Sequence, residues 1–150
     1  MSATQTTAPV RPARRTALLA LARTADPHTA LRRFLALDAV VTGVNGLAYL
    51  AASGPLGRLL GVGSATLLGL GAFLTVYAAG VGLLATRARP AALPVRAVIE
   101  ANAGWAVLSC VALALWLSPT LVGEVWTVAQ ALVVAGFAAL QQTALKARDN

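Results

Sequence analysis

One acid stands inside a long apolar run. Asp38 is followed by Thr42, Asn45 and Tyr49 at i+4, i+7 and i+11, which on a helix makes a single polar stripe along an otherwise apolar cylinder. An ionisable side chain in such a run is costly, so it turns towards partner helices or a water-filled cavity. Two chemistries suit it: proton uptake and release by the carboxylate, or a charge at the base of a ligand pocket. Two further stripes could meet this one. Asn102, Trp105, Ser109 and Trp116 share one helical face, and Gln130, Phe137 and Gln141 share another. Convergence would set Asp38, Asn45, Asn102 and Gln141, with Thr42 and Tyr49 beside them, around a small polar pocket open to the cytoplasm. The plainer reading is interhelical glue, in which Asn45 and Asn102 bridge helices and Asp38 pairs with Arg33 or Arg96, arginines that can snorkel to the same edge.

The elements that must position these residues are four apolar stretches, about 34–53, 64–86, 98–117 and 125–144. Each is roughly 20 residues, the length an α-helix needs to cross the hydrocarbon of a bilayer. A chain that is 58% hydrophobic and only 11% charged lacks the polar helix faces of a soluble fold. The basic residues then sort by side. Six arginines precede the first stretch, three (Arg87, Arg89, Arg96) separate the second from the third, and Lys146 and Arg148 follow the fourth. On the other side stands Arg58 alone. That asymmetry is the positive-inside pattern and places both termini in the cytoplasm. The net charge of +7 therefore faces anionic lipid headgroups and is not a nucleic-acid surface.

The chain divides into a basic tail, 1–32, and a four-span domain, 33–150. Met1–Pro12 reads as disordered, and Ala13–Arg23 as an amphipathic helix on the membrane surface. The apolar core Ala17–Ala22 is too short for a signal peptide, so a retained cytoplasmic tail is expected. Asp26 and Pro27 cap a brief helical entry. Pro55–Val62 reads as an apolar interfacial loop, Pro90 and Pro94 interrupt the helix between spans two and three, and Ser118-Pro119 makes the last turn short. Short turns give antiparallel neighbours, and the expected object is an all-α membrane four-helix bundle of two antiparallel hairpins, N-in and C-in. Span two carries Gly71, Thr75, Ala78 and Gly82 on one face, a groove for close helix packing. Trp116 and Trp126 flank the outer turn as an aromatic belt, while Trp105 packs inside the bundle. Glu100 is expected beside Arg96 at i, i+4, and Glu124 at the N-terminus of span four.

Several functions lack their residues. The only cysteine is Cys110 and the only histidine His28, so haem ligation, a structural zinc and a thiol redox pair find no ligand set, and no cofactor or metal is expected. No HExxH, GxSxG or Walker-type loop is present, and no histidine lies at membrane depth to activate a serine. An enzyme is not expected.

The segments LDAVVTGVNGLAYLAASGPLGRLLG (Leu37–Gly61) and SPTLVGEVWTVAQALVVAGFAALQ (Ser118–Gln141) resemble those of small four-span integral membrane proteins of actinobacteria, over most of residues 33–145. That resemblance implies a multi-pass place in the bacterial cytoplasmic membrane and transfers no catalytic residue. A fainter likeness to DoxX-type membrane proteins is one of size and layout, and layout carries no function. The expected role is a non-enzymatic membrane component or accessory subunit, contacting lipid and working as a homodimer or with a partner membrane protein. The alternative is a small oligomeric proton-coupled transporter or small-molecule-binding protein that uses the stripe on span one.

Overall fold

The first span begins at a carboxylate. Asp26 accepts from the backbone N–H groups of His28 and Thr29, both at 3.3 Å, and from the Thr29 hydroxyl at 3.0 Å, with Pro27 in the first turn. This cap satisfies donors that a helix start leaves orphaned. The computed structural model describes residues 26–115 and 118–149, so the expected surface helix over Ala13–Arg23 and the side chain of Trp116 lie outside the described residues.

Five helices follow: α1 (Pro27–Ala51), α2 (Ser53–Leu60), α3 (Ser64–Thr86), α4 (Ala92–Leu115) and α5 (Leu121–Asp149). All but α2 are long and apolar enough to cross a membrane. Their limits differ from the hydropathy spans mostly at the basic ends of α1, α4 and α5. α1 starts at Pro27, so the helical entry is continuous with the span and His28 sits in its first turn rather than in a tail. α4 starts at Ala92 with Pro94 in its first turn, where a missing N–H costs nothing, and α5 runs on to Asp149. The apolar run marks only the segment matched to hydrocarbon; the helices continue into polar surroundings at their basic ends.

The expected interfacial loop is the short helix α2. Gly61, at φ 71°, ends it in the left-handed conformation that L side chains rarely adopt. Thr120 then joins this end to the last turn. Its hydroxyl donates to the Leu59 carbonyl at 2.6 Å, its N–H donates to the Leu60 carbonyl at 3.2 Å, and its Oγ1 accepts from Gly123 N at 3.2 Å. One residue thus caps the start of α5 and satisfies two carbonyls at the end of α2.

The bundle consists of two antiparallel hairpins, α1 with α3 and α4 with α5, joined along α1 and α5. The α1–α3 seam is the closest. A Cβ on Gly46 would lie 2.8 Å from Thr75 Oγ1, and one on Gly71 would lie 2.8 Å from the Gly46 carbonyl oxygen. Ala78 meets Gly43 and Gly82 meets Ala39 further along, so the small-residue face of span two packs as its spacing predicts. Side chains on the outer faces are apolar and exposed, Val44 at 63%, Val76 at 73% and Leu132 at 69% among them. Such a surface suits lipid, not water.

Packing is unequal along the axis. Towards the basic end a continuous core joins all four long helices, including Leu31, Leu35, Val81, Val95, Ile99 and Leu145. Arg32 Nε donates to the Ala85 carbonyl at 3.0 Å and Arg148 to the Pro90 carbonyl at 2.6 Å, fastening this end. Towards the other end the buried cluster is Tyr49, Leu60, Leu67 and Leu74, which come from α1, α2 and α3 alone.

Candidate functional site

At the depth of Asp38 the two hairpins are joined by hydrogen bonds. The Asp38 carboxylate is 0% exposed and has a donor at each oxygen. Oδ1 accepts from the Thr42 hydroxyl at 3.1 Å, one turn along the same helix. Oδ2 accepts from Asn102 Nδ2 on α4 at 2.7 Å and from Gln141 Nε2 on α5 at 2.8 Å. The Asn102 amide also approaches Gln141 Oε1 at 3.4 Å, and its own oxygen accepts from the Tyr77 hydroxyl on α3 at 3.2 Å. Every long helix contributes. The orientation of the Asn102 amide follows from its partners, since a carboxylate needs the NH2 and a hydroxyl donor needs the oxygen.

Four of the six candidate residues are therefore brought together: Asp38, Thr42, Asn102 and Gln141. They do not form the polar pocket open to the cytoplasm that the stripes imply. Gln141 is also 0% exposed, and the basic-end core seals the cluster from that side. The expected ion pair is likewise absent. Arg33 and Arg96 are exposed, and among the described residues the ion pair is Arg148 with Asp149, at 3.1 Å. Three neutral donors do the work assigned to a cation, because short amide and hydroxyl side chains reach the buried oxygens without bringing a second charge out of water. Glu100 and Arg96, expected as neighbours, are both exposed and make no ion pair.

The other two candidates separate from the cluster. Tyr49 is buried, and its hydroxyl accepts from Trp126 Nε1 at 2.7 Å, so the Trp126 N–H meets a tyrosine rather than the headgroups of the expected belt. Asn45 is half-buried, and its side chain makes no hydrogen bond to another described residue. Both residues line a cavity of about 980 Å³ on the side of the cluster away from the basic end. Residues of all five helices line it. Thr42 and Asn102 also border it, while Asp38 lies behind them.

The walls are apolar and aromatic. Phe73 stacks on Trp105 with ring centroids 5.7 Å apart and on Tyr77 at 6.2 Å, and Trp105 is half-buried inside the bundle as expected. Val40 and Val44 of α1 and Val125 and Val133 of α5 line the cavity and are exposed, so it is open to the surroundings of these two helices rather than enclosed. Such a chamber is near the upper end of the size range of small-molecule sites. Its polar lining consists of hydroxyls and amides, from Thr42, Asn45, Tyr49, Tyr77, Asn102 and Gln130, with the indole N–H groups of Trp105 and Trp126.

Tyr77 and the cavity itself are the features that the residue stripes miss. Tyr77 sits one turn from Phe73 on α3, and a tyrosine inside a span needs a partner for its hydroxyl, which is the signal that could have singled it out. Comparison with protein-family models, curated proteins and solved structures finds no match for this chain.

Proposed function

We propose that this chain is a non-enzymatic component of the bacterial cytoplasmic membrane that holds one largely apolar ligand drawn from the bilayer. The observation that carries the reading is the cavity of about 980 Å³, walled by aliphatic and aromatic side chains and bordered by residues that are also exposed. An apolar chamber with a few convergent polar groups is what small-molecule sites have in common. Its lining supports a binding role over a catalytic one, since it offers amides and hydroxyls but no carboxylate, imidazole or thiol. The basic residues gathered on one side of the spans support a cytoplasmic position for both termini. In this reading the protein stores or presents its ligand, as an accessory subunit to a partner membrane protein or as a homodimer.

Native mass spectrometry of the protein released from native-lipid nanodiscs tests it. A discrete adduct is expected on the wild type and a weakened one on Ala48→Trp, which projects an indole into the cavity. The same ordinary phospholipid adducts on both proteins would overturn the reading.

One observation favours a second reading, an oligomeric proton-coupled transporter: Asp38 is a buried carboxylate without a cationic partner among the described residues. Proton-driven substrate uptake into vesicles would then vanish in Asp38→Asn with the protein still folded. Equal uptake by both proteins would remove this alternative.

A further inference from the structure

The ligand's charge is legible in what the cavity lacks and in which of its polar groups are unused. Among the described residues no arginine, lysine or histidine lines it, so an anionic headgroup has no counter-charge there. On the cluster side stands an acid: Asp38 lies one hydrogen bond behind Asn102 and Thr42. An anion would enter a low-dielectric chamber facing a buried carboxylate, which is unfavourable on both counts. A cation fares little better. Asp38 is fully buried with donors at both oxygens, so it cannot meet a ligand ammonium, and the cation would pay its desolvation without a direct partner.

The neutral polar groups divide into used and unused. Thr42 donates to Asp38, Asn102 donates to Asp38 and Gln141, and Tyr77 donates to Asn102. Tyr49 accepts from Trp126 and keeps its own hydroxyl proton to give. Asn45 and Gln130 line the cavity, half-buried, and no hydrogen bond between described residues engages either amide, nor the indole N–H of Trp105, a further donor that suits an ester carbonyl. Asn45 lies seven residues along α1 from Asp38, about 10 Å at the rise of an α-helix, well inside the apolar span. An amide left unpaired in hydrocarbon is costly, and each of these has a carbonyl to accept and an NH2 to donate.

We propose that the site selects a neutral bilayer lipid with a hydroxyl or ester end, of the acylglycerol or long-chain alcohol type. Asn45 and Gln130 hydrogen-bond that end, and the acyl chain lies along the aromatic wall of Phe73 and Trp105. This rests on the binding reading above and adds to it the class of ligand and the residues that choose it.

Trp105 and Trp126 line the cavity and report on it directly. The full chain in detergent micelles is titrated with three chain-brominated C18 amphiphiles that quench tryptophan: the monoglyceride, the fatty acid as its anion, and the amine as its cation. Saturable quenching by the monoglyceride is expected, about ten-fold tighter than by either charged probe. Asn45→Leu combined with Gln130→Leu should bring the three affinities together, and Gln130→Lys should turn the preference towards the fatty acid.

If the anion or the amine binds as tightly as the monoglyceride, the neutral class is wrong while the binding reading stands. If none of the probes quenches saturably, the binding reading itself fails. If the wild-type preference survives in the double variant and in Gln130→Lys, the two amides do not choose the ligand, and the inference is overturned even if a neutral lipid binds.

Discussion

Asp38 is held by hydrogen bonds from three neutral side chains, and that sets how its partners respond to substitution. Replacing Asn102 by leucine removes one donor to the carboxylate and the acceptor for Tyr77. A loss of about 1–3 kcal/mol is expected, because the groups left behind remain buried. Asp38→Leu combined with Asn102→Leu should cost less than the two single changes added together, since both buried ends of the contact leave at once. Unfolding of the micelle-bound protein by added denaturing detergent measures this, and strict additivity would show that the two residues do not act as a unit. Asp26, outside the bundle, gives a pH signature. The hydrogen bond from the Thr29 side chain leads the causes that hold its carboxyl below the ordinary value of 3.8. Its contribution to the α1 cap is therefore fully present above the unfolded value and fades as the pH falls through the lower folded one. Asp26→Asn keeps an acceptor for the cap but does not titrate, so a plot of Tm against pH should lose part of its acid limb. Much of this scale was readable beforehand. Helical spacing put Asp38, Thr42, Asn102 and Gln141 on faces that could meet. It could not give rotamers, so whether the acid met an arginine or an amide stayed open until the helices were packed.

At the scale of elements, the α1–α3 seam and the α2 end depend on different physics, and only the first was written in spacing. Gly71, Thr75, Ala78 and Gly82 recur on one face, and that face does meet α1. Gly46→Val or Gly71→Val would drive a side chain into the facing backbone, and a loss of about 1–3 kcal/mol is expected from such overpacking. Gly136→Ala is the control. A Cβ there meets nothing within 4 Å, so stability should hold or rise slightly as helix propensity improves. Thermal unfolding of the three variants separates seam packing from a general intolerance of side chains at glycine. α2 escaped notice because eight residues containing Gly54, Pro55 and Gly57 read as a loop by composition. Its helicity is supported from outside, by the bonds that Thr120 makes to its last carbonyls from sixty residues further along the chain. No local pattern records such a contact.

The whole molecule has a filled core at its basic end and a cavity beyond the Asp38 cluster. The fold class and the four crossings follow from apolar length, whereas the cavity depends on how side chains from all five helices meet, a tertiary quantity without a sequence period. Its orientation in the membrane is open to direct measurement through Cys110, the sole cysteine of the chain. In a Cys110→Ala background, Lys146→Cys should react with a membrane-impermeant thiol reagent only after the cells are opened, and Arg58→Cys in intact cells. Both parent residues are exposed in the structure. The reverse pattern would invert the proposed topology and place the cavity in the other leaflet.

The hydrogen bonds around Asp38 also constrain how the protein is made. The partners of its carboxylate on α4 and α5 stand 64 and 103 residues later in the chain, so during synthesis the first hairpin can form before α4 and α5 pack on it. In that interval the acid has Thr42 alone, and Tyr77 has yet to find Asn102. The early hairpin thus carries an acid whose interhelical donors are still missing, and the second hairpin supplies them. The last two crossings complete the polar bonding of the first two.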